Sequence, residues 1–190
     1  MGKIHEAILD VMAAEVRARS AWDEAPQLYR LHLTGGAPRL VPMRLPDDLW
    51  AIDRPPAMLE WLAANMAANQ LRSPDADLHG MAFRHEGWEV VTDDPHRNRF
   101  QARRVAELAN EHKLSTHPQR VEIRLMYAVD RAGITYAIQQ ARGSAEPDRA
   151  LIFPGSTDAL STGTVVDSLD LMVTTLTGIR LMPRQEPPRW

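Results

Sequence analysis

The chain contains no cysteine, which excludes a disulfide framework, a thiolate nucleophile and any cysteine-ligated metal or iron–sulfur cluster. That absence fits an intracellular, cytoplasmic setting. Positive charge is not in excess: 22 Lys and Arg stand against 25 Asp and Glu, a formal net charge of −3. This disfavours a protein that binds nucleic acid or anionic membrane over its whole surface, because both need positive charge for steering. Long apolar runs are missing. Met1-Gly2-Lys3-Ile4-His5-Glu6 leads into Asp10 and Glu15 where a signal peptide needs an uninterrupted apolar stretch, and no segment approaches membrane-spanning length. Glu6 stands where a myristoylation signal needs Ser or Thr. Neither Gly-x-Ser-x-Gly, Gly-x-Gly-x-x-Gly nor a Gly-rich lysine loop occurs, so serine hydrolases of that type, dinucleotide binding and phosphate loops lose their usual evidence. No cofactor is implied.

What is present begins with size: 190 residues, 44% hydrophobic and 25% charged, match one ordinary globular domain able to bury a substantial core. The strongest pattern runs from Val121 to Arg142. Val121, Ile123, Leu125, Tyr127 and Val129 alternate with Glu122, Arg124, Met126 and Ala128, and after Asp130-Arg131-Ala132-Gly133 the alternation resumes through Ile134, Tyr136 and Ile138. A period of two is a strand signal, and the Asp-x-x-Gly break supplies the turn of a hairpin. In this register the Val121 set lies inward while Glu122 and Arg124 turn away from it.

Ile4, Ile8, Val11, Met12 and Val16 recur at helical steps and predict an amphipathic helix ending near Ser20. Pro26 to Thr34, closed by Gly35-Gly36, reads as a strand; a short partner around Arg39 to Leu45 belongs at an edge, because Pro38, Pro42 and Pro46 remove backbone donors. Asp53 before Pro55-Pro56 opens a second helix with the stripe Met58, Leu59, Leu62, Ala63 and Met66, ending near Leu71. Leu78 to Val91 reads as one long strand. Ala150 to Phe153 adds a further strand, and Thr164-x-x-Asp167 has capping-box spacing for a last helix that Gly178 ends. The expected fold is therefore α+β: a mostly antiparallel sheet of about five strands with three amphipathic helices packed on it, in a single domain spanning 1–190, with a polar basic insertion at 92–119 and an extended tail at 183–190.

Candidate sites divide by what each would require. His85-Glu86-x-x-Glu89 has the outline of a zinc-protease helix, but Gly87, Trp88 and Val90-Val91 favour a strand that sends Glu86 and Glu89 to opposite faces, so no metal site is expected there. Asp93, Asp94 and His96 offer ligand atoms around Pro95, though such residues equally form turns. Glu86 and Trp88 on one strand face Arg120, Glu122 and Arg124 on the next. A carboxylate among guanidinium groups can hold a polar ligand or shift a catalytic pKa, with Trp88, Arg120 and Arg124 as binding residues; a structural ion-pair ladder explains the same charges without a substrate. Arg97, Arg99, Arg103 and Arg104 could contact phosphates, but Glu107, Glu111, Asp93 and Asp94 dilute the field. Ser156-Thr157-Asp158 after Gly155 reads as ordinary turn chemistry.

The pattern Glu86-x-Trp88, a variable basic segment, then His117-Pro118-x-Arg120-x-Glu122 at the mouth of a hairpin resembles uncharacterised small proteins of actinobacteria and their phages, over about the middle third of the chain. The resemblance implies no activity. The expected function is non-enzymatic: an intracellular binding or assembly protein, with a protein partner or a second copy of itself in a homodimer, acting through an apolar helix face and the polar sheet surface. Nucleic acid and membrane are not expected partners. The alternative is a small hydrolase or nucleic-acid-processing enzyme using Glu86, His117, Glu122 and Asp130, with Arg120 stabilising developing charge. It demands that at least two of those groups converge in an accessible cleft.

Overall fold

The computed structural model of the chain is described for residues 2–46, 48–90, 114–154 and 163–178. The elements run α1 (Lys3–Arg17), β1 (Gln27–Thr34), β2 (Ala37–Pro42), α2 (Pro55–Ala68), β3 (Leu78–Val90), β4 (Arg120–Asp130), β5 (Thr135–Ala141), β6 (Asp148–Ile152) and α3 (Thr164–Thr177), with single-turn helices at Leu49–Ala51 and Leu114–Thr116. The strands form one six-stranded sheet in the order β2-β1-β3-β4-β5-β6, antiparallel at every pairing. This is the α+β architecture that the periodicities predict, with β2, the proline-bearing strand, at an edge. No helix among the described residues is long and apolar enough to cross a membrane.

The two sheet faces carry separate cores. On one, Ile8, Leu9, Met12, Ala13 and Val16 of α1 pack on Tyr29, Leu31, Ala82, Met126, Ala128, Tyr136 and Ile138. On the other, α2 and α3 contribute Leu59, Ala63, Met66, Val166, Leu169, Met172 and Val173 against Leu28, Met81, Phe83 and Val129. The layers are therefore helix, sheet, helix pair. Burying both faces corrects the inward-outward register expected for β4. Val121, Leu125 and Tyr127 stay half-buried on the α2/α3 side, whereas Glu122, Arg124, Met126 and Ala128 on the α1 side are buried. Parity assigns residues to a face; it does not say which face sees water.

Local chemistry explains the boundaries. In the β4–β5 turn the Asp130 carboxylate accepts the backbone N–H of Ala132 at 2.8 Å and of Ile134 at 3.0 Å, while Gly133 supplies φ +74°; Asp and Gly each meet a requirement of the turn. At Gly80 a Cβ would stand 2.4 Å from the carbonyl oxygen of Val129, so only glycine lets β3 approach β4 there. α2 carries prolines in its first turn, where their missing N–H costs no helical bond. α3 starts one residue earlier than the capping-box spacing suggests: Gly163 is the N-cap, and no side chain caps it. Its end is as expected, with Gly178 at φ +71° and its N–H on the carbonyl of Thr174.

Candidate functional site

β3 and β4 pair so that Glu86 stands opposite Arg124, Trp88 opposite Glu122 and Val90 opposite Arg120. The sequence-derived candidates thus share the α1 face at one end of the sheet. They divide sharply in what they do there.

Arg124 is 1% exposed, the largest fully buried side chain of the described residues. Its Nε and Nη2 donate to Glu86 Oε1 at 3.0 and 2.6 Å, Nη1 donates to the carbonyls of Val16 and Arg19 at 3.3 and 2.7 Å, and Nη2 also reaches the carbonyl of Ala21. The carbonyls at the end of a helix lack intrahelical donors and carry negative partial charge, so a guanidinium there satisfies both needs at once. The indole of Trp22 covers it, 4.7 Å from the guanidinium carbon. Glu86 is occupied at both oxygens, since Oε2 accepts the Asp23 N–H at 2.6 Å; Asp23 adopts φ +66°, a conformation that Asp tolerates. Arg84, also buried on this face, reaches the carbonyl of Ala25 and the carboxylate of Glu24, both at 3.3 Å. Two buried arginines therefore bolt the α1–β1 connection to the sheet. Arg124 has no surface left to offer a ligand, which corrects its assignment as a binding residue.

One step toward the sheet end, the side chains open to solvent. Arg120 lies over the Trp88 ring at 5.3 Å, and Arg142 lies over Trp22 at 5.5 Å while pairing with Glu122. Trp88, Pro118, Arg120, Val121, Glu122 and Arg142 line an open depression of about 430 Å³. Trp88 is 39% exposed and the Arg142 side chain 57%, whereas Glu122, at 9%, forms part of the floor. No carboxylate among the described residues comes within ion-pair distance of Arg120. Trp22, Asp23 and Arg142 were not selected from the sequence. The first two lie in a connection without periodicity, and Arg142 follows the last strand residue; only their return over β4 brings them to the site.

The carboxylates of Asp23, Glu86 and Glu122 approach within 4.8 Å of one another, so two of the enzymatic candidates do converge. Their charges are already met: Glu86 is held by Arg124, and Glu122 by Arg142. His117 stands apart from this group. It is half-buried in the turn before β4, where its Nδ1 accepts the Gln119 N–H at 3.1 Å and its carbonyl accepts from Arg120. Glu89 is on the opposite face with Gln139, as the strand reading of His85-Glu86-x-x-Glu89 requires.

Asp130 is eight residues from Glu122 along β4, about 26 Å at ~3.3 Å per residue, and belongs to a second polar cluster under the start of α1. The Tyr136 hydroxyl donates to Asp130 Oδ2 at 2.9 Å, so its oxygen accepts from His5 Nδ1 at 2.8 Å; His79 Nε2 lies 3.7 Å from the same carboxylate. Burial, then the Asp130 charge, pushes the Tyr136 phenol far above its usual range, and burial pulls His79 below its ordinary value against the opposing pull of Asp130. The Arg97, Arg99, Arg103 and Arg104 segment lies outside the described residues, as do Asp93, Asp94, His96, Ser156-Thr157-Asp158 and the tail. Comparison with protein-family models, with curated proteins and with solved structures finds no match.

Proposed function

We propose that the chain is a non-enzymatic binding or assembly protein whose contact surface is the rim formed by Trp88, Arg120 and Arg142. The observation that supports this reading is the division of labour among the charged groups: the carboxylates that catalysis would need are already paired, Glu86 with buried Arg124 and Glu122 with exposed Arg142, while the Trp88 ring and the Arg120 guanidinium, which pairs with no carboxylate among the described residues, are exposed at an open depression. Aromatic and arginine side chains together are the composition of contact hot spots. Of the two surfaces that the sequence suggests, the apolar stripe of α1 is consumed by the chain's own core, with Ile8, Leu9, Met12 and Val16 buried. The stripe of α2 is likewise buried at Met58, Leu59, Ala63 and Met66, so of these surfaces the polar sheet end is the one that faces outward.

Sedimentation of the full chain over a wide concentration range, alone and with Trp88→Ala or Arg120→Glu, tests self-assembly through this rim. Concentration-dependent association that either substitution removes is expected; a monomer throughout would exclude a second copy as the occupant. One observation favours the enzymatic alternative, the convergence of Glu86 and Glu122 with Asp23. On that reading Glu86→Gln would abolish turnover of a hydrolysable substrate before it changed stability. Its bonds to Arg124 and Asp23 argue for the reverse order.

A further inference from the structure

We infer that the depression at the Arg120 end of the sheet binds a nucleoside monophosphate, free or at the end of a single strand; this rests on the reading of the rim as a contact surface. Three kinds of group meet there, and each answers a different part of such a ligand. Arg120 is exposed, and its guanidinium lies against the Trp88 ring. A guanidinium stacked on an indole keeps its in-plane N–H donors at the edge of the stack; Arg120 spends one Nη1 donor on the His117 carbonyl at 3.3 Å, and the others are left in the fork that suits phosphate oxygens. Arg142 likewise lies over Trp22, with one end of its guanidinium taken by Glu122. The exposed part of Trp88 and the outer plane of Arg120 both present flat surfaces on which a base can stack, an interaction worth binding energy with any base.

The third group is Glu122. Arg142 takes its Oε2, so Oε1 is the oxygen that a ligand reaching this mostly buried lining residue would meet. A carboxylate there accepts from ring N–H and exocyclic amino groups, and guanine offers two such donors side by side. An inorganic anion would use the guanidinium groups alone, and a neutral ring the indole alone. A nucleotide uses all three. The volume, about 430 Å³, lies in the range of small-molecule sites. The chain's net charge of −3 opposes binding of long polyanions, which is why the inferred ligand is a single nucleotide or a strand end and not a duplex.

The test is calorimetric titration of the full chain, kept dilute to suppress self-association, with guanosine 5′-monophosphate, guanosine, inorganic phosphate and a 5′-phosphorylated single-stranded tetranucleotide beginning with guanosine. Guanosine monophosphate should bind at least about tenfold more tightly than guanosine or phosphate alone, and Arg120→Glu should weaken it by about tenfold or more. Arg120 is exposed, so this variant keeps the fold, as a thermal melt would verify; Trp88→Ala should weaken the nucleotide more than phosphate, since it removes the stacking surface as well as the support of Arg120. A tetranucleotide bound more tightly than the monophosphate assigns a strand end, and one bound equally or less tightly assigns the free nucleotide. Monophosphate binding no tighter than phosphate, or unaffected by Arg120→Glu, overturns the inference. If Arg120→Glu abolishes self-association while no nucleotide binds, the ligand class is wrong and the contact surface stands; if neither responds, both fall.

Discussion

Two polar clusters lie beneath opposite ends of α1, on the same face of the same sheet, and they solve the burial problem in different ways. Under the C-terminal end, Arg124 and Glu86 form a charged pair whose remaining hydrogen-bonding capacity is filled by helix-end carbonyls and a backbone N–H. Under the N-terminal end, one carboxylate, Asp130, is served by two backbone N–H groups and a phenol, and beyond the phenol stands an imidazole. The first cluster depends on keeping a charge that is always present. The second depends on hydroxyl and imidazole groups whose neutral forms tolerate burial. Both hold a connection in place: the α1–β1 segment in one case, the β4–β5 turn in the other.

The largest expected effect comes from removing one partner of the charged pair. Arg124→Met leaves Glu86 buried without its counter-ion and takes the guanidinium donors from three carbonyls, of which Val16 keeps the Arg19 N–H, and should cost about 3–5 kcal/mol in urea unfolding. Adding Glu86→Gln should recover part of that loss, because the uncompensated charge goes with it. Equal loss in the single and double variants would show that the carbonyls, not the ion pair, are what Arg124 serves. At the other end Tyr136→Phe removes one hydroxyl shared by Asp130 and His5. The same measurement should give about 1–3 kcal/mol, the range for leaving buried polar groups unsatisfied. If the two substitutions cost the same, the distinction between removing a charged partner and removing a neutral one has no energetic content.

Much of the fold could be read from the sequence because it rests on local signals: alternation marked β3, β4 and β5, prolines put β2 at an edge, and Gly178 closed α3. Two things escaped. The first was which side of β4 is wet. Glu122 and Arg124 alternate with apolar residues as exposed charges do, and only the packing of α1 over them shows that Arg124 sits at the end of another helix, more than a hundred residues earlier in the chain. The second was the membership of the candidate site. Glu86, Trp88, Arg120 and Glu122 were legible because they share strand parity, but Trp22 and Arg142 arrive through a connection and a strand end, where neither period nor motif predicts direction. Parity gives neighbours within a sheet, and the site's outer wall comes from elsewhere.

The smallest effect separates the two clusters by pH. Burial lowers the pKa of His79, which faces Asp130, Arg131 and His5, and also that of His85, which stacks on Phe83 two residues before it on β3. An unfolded histidine titrates near ~6.5. Above that both states are neutral and these groups leave stability flat; as pH falls below it, the unfolded chain takes up protons first, so stability declines until the folded pKa is also passed. The slope can be at most about 1.4 kcal/mol per pH unit for each histidine. Asp77, whose pKa is lowered from 3.8 by bonds from Thr34 and His32, contributes stability that is lost only at lower pH, so its window is separate. Urea midpoints between pH ~7 and ~5.5 should therefore fall in the parent chain and fall less in His79→Gln and in His85→Gln. The Arg124→Met, Glu86→Gln double variant should shift the whole curve down without changing its slope, because neither replacement titrates in that window and no unpaired Glu86 carboxylate is left to do so. A changed slope in that double variant, with an unchanged one in His79→Gln, would mean that the proton-sensitive end of α1 has been placed at the wrong end.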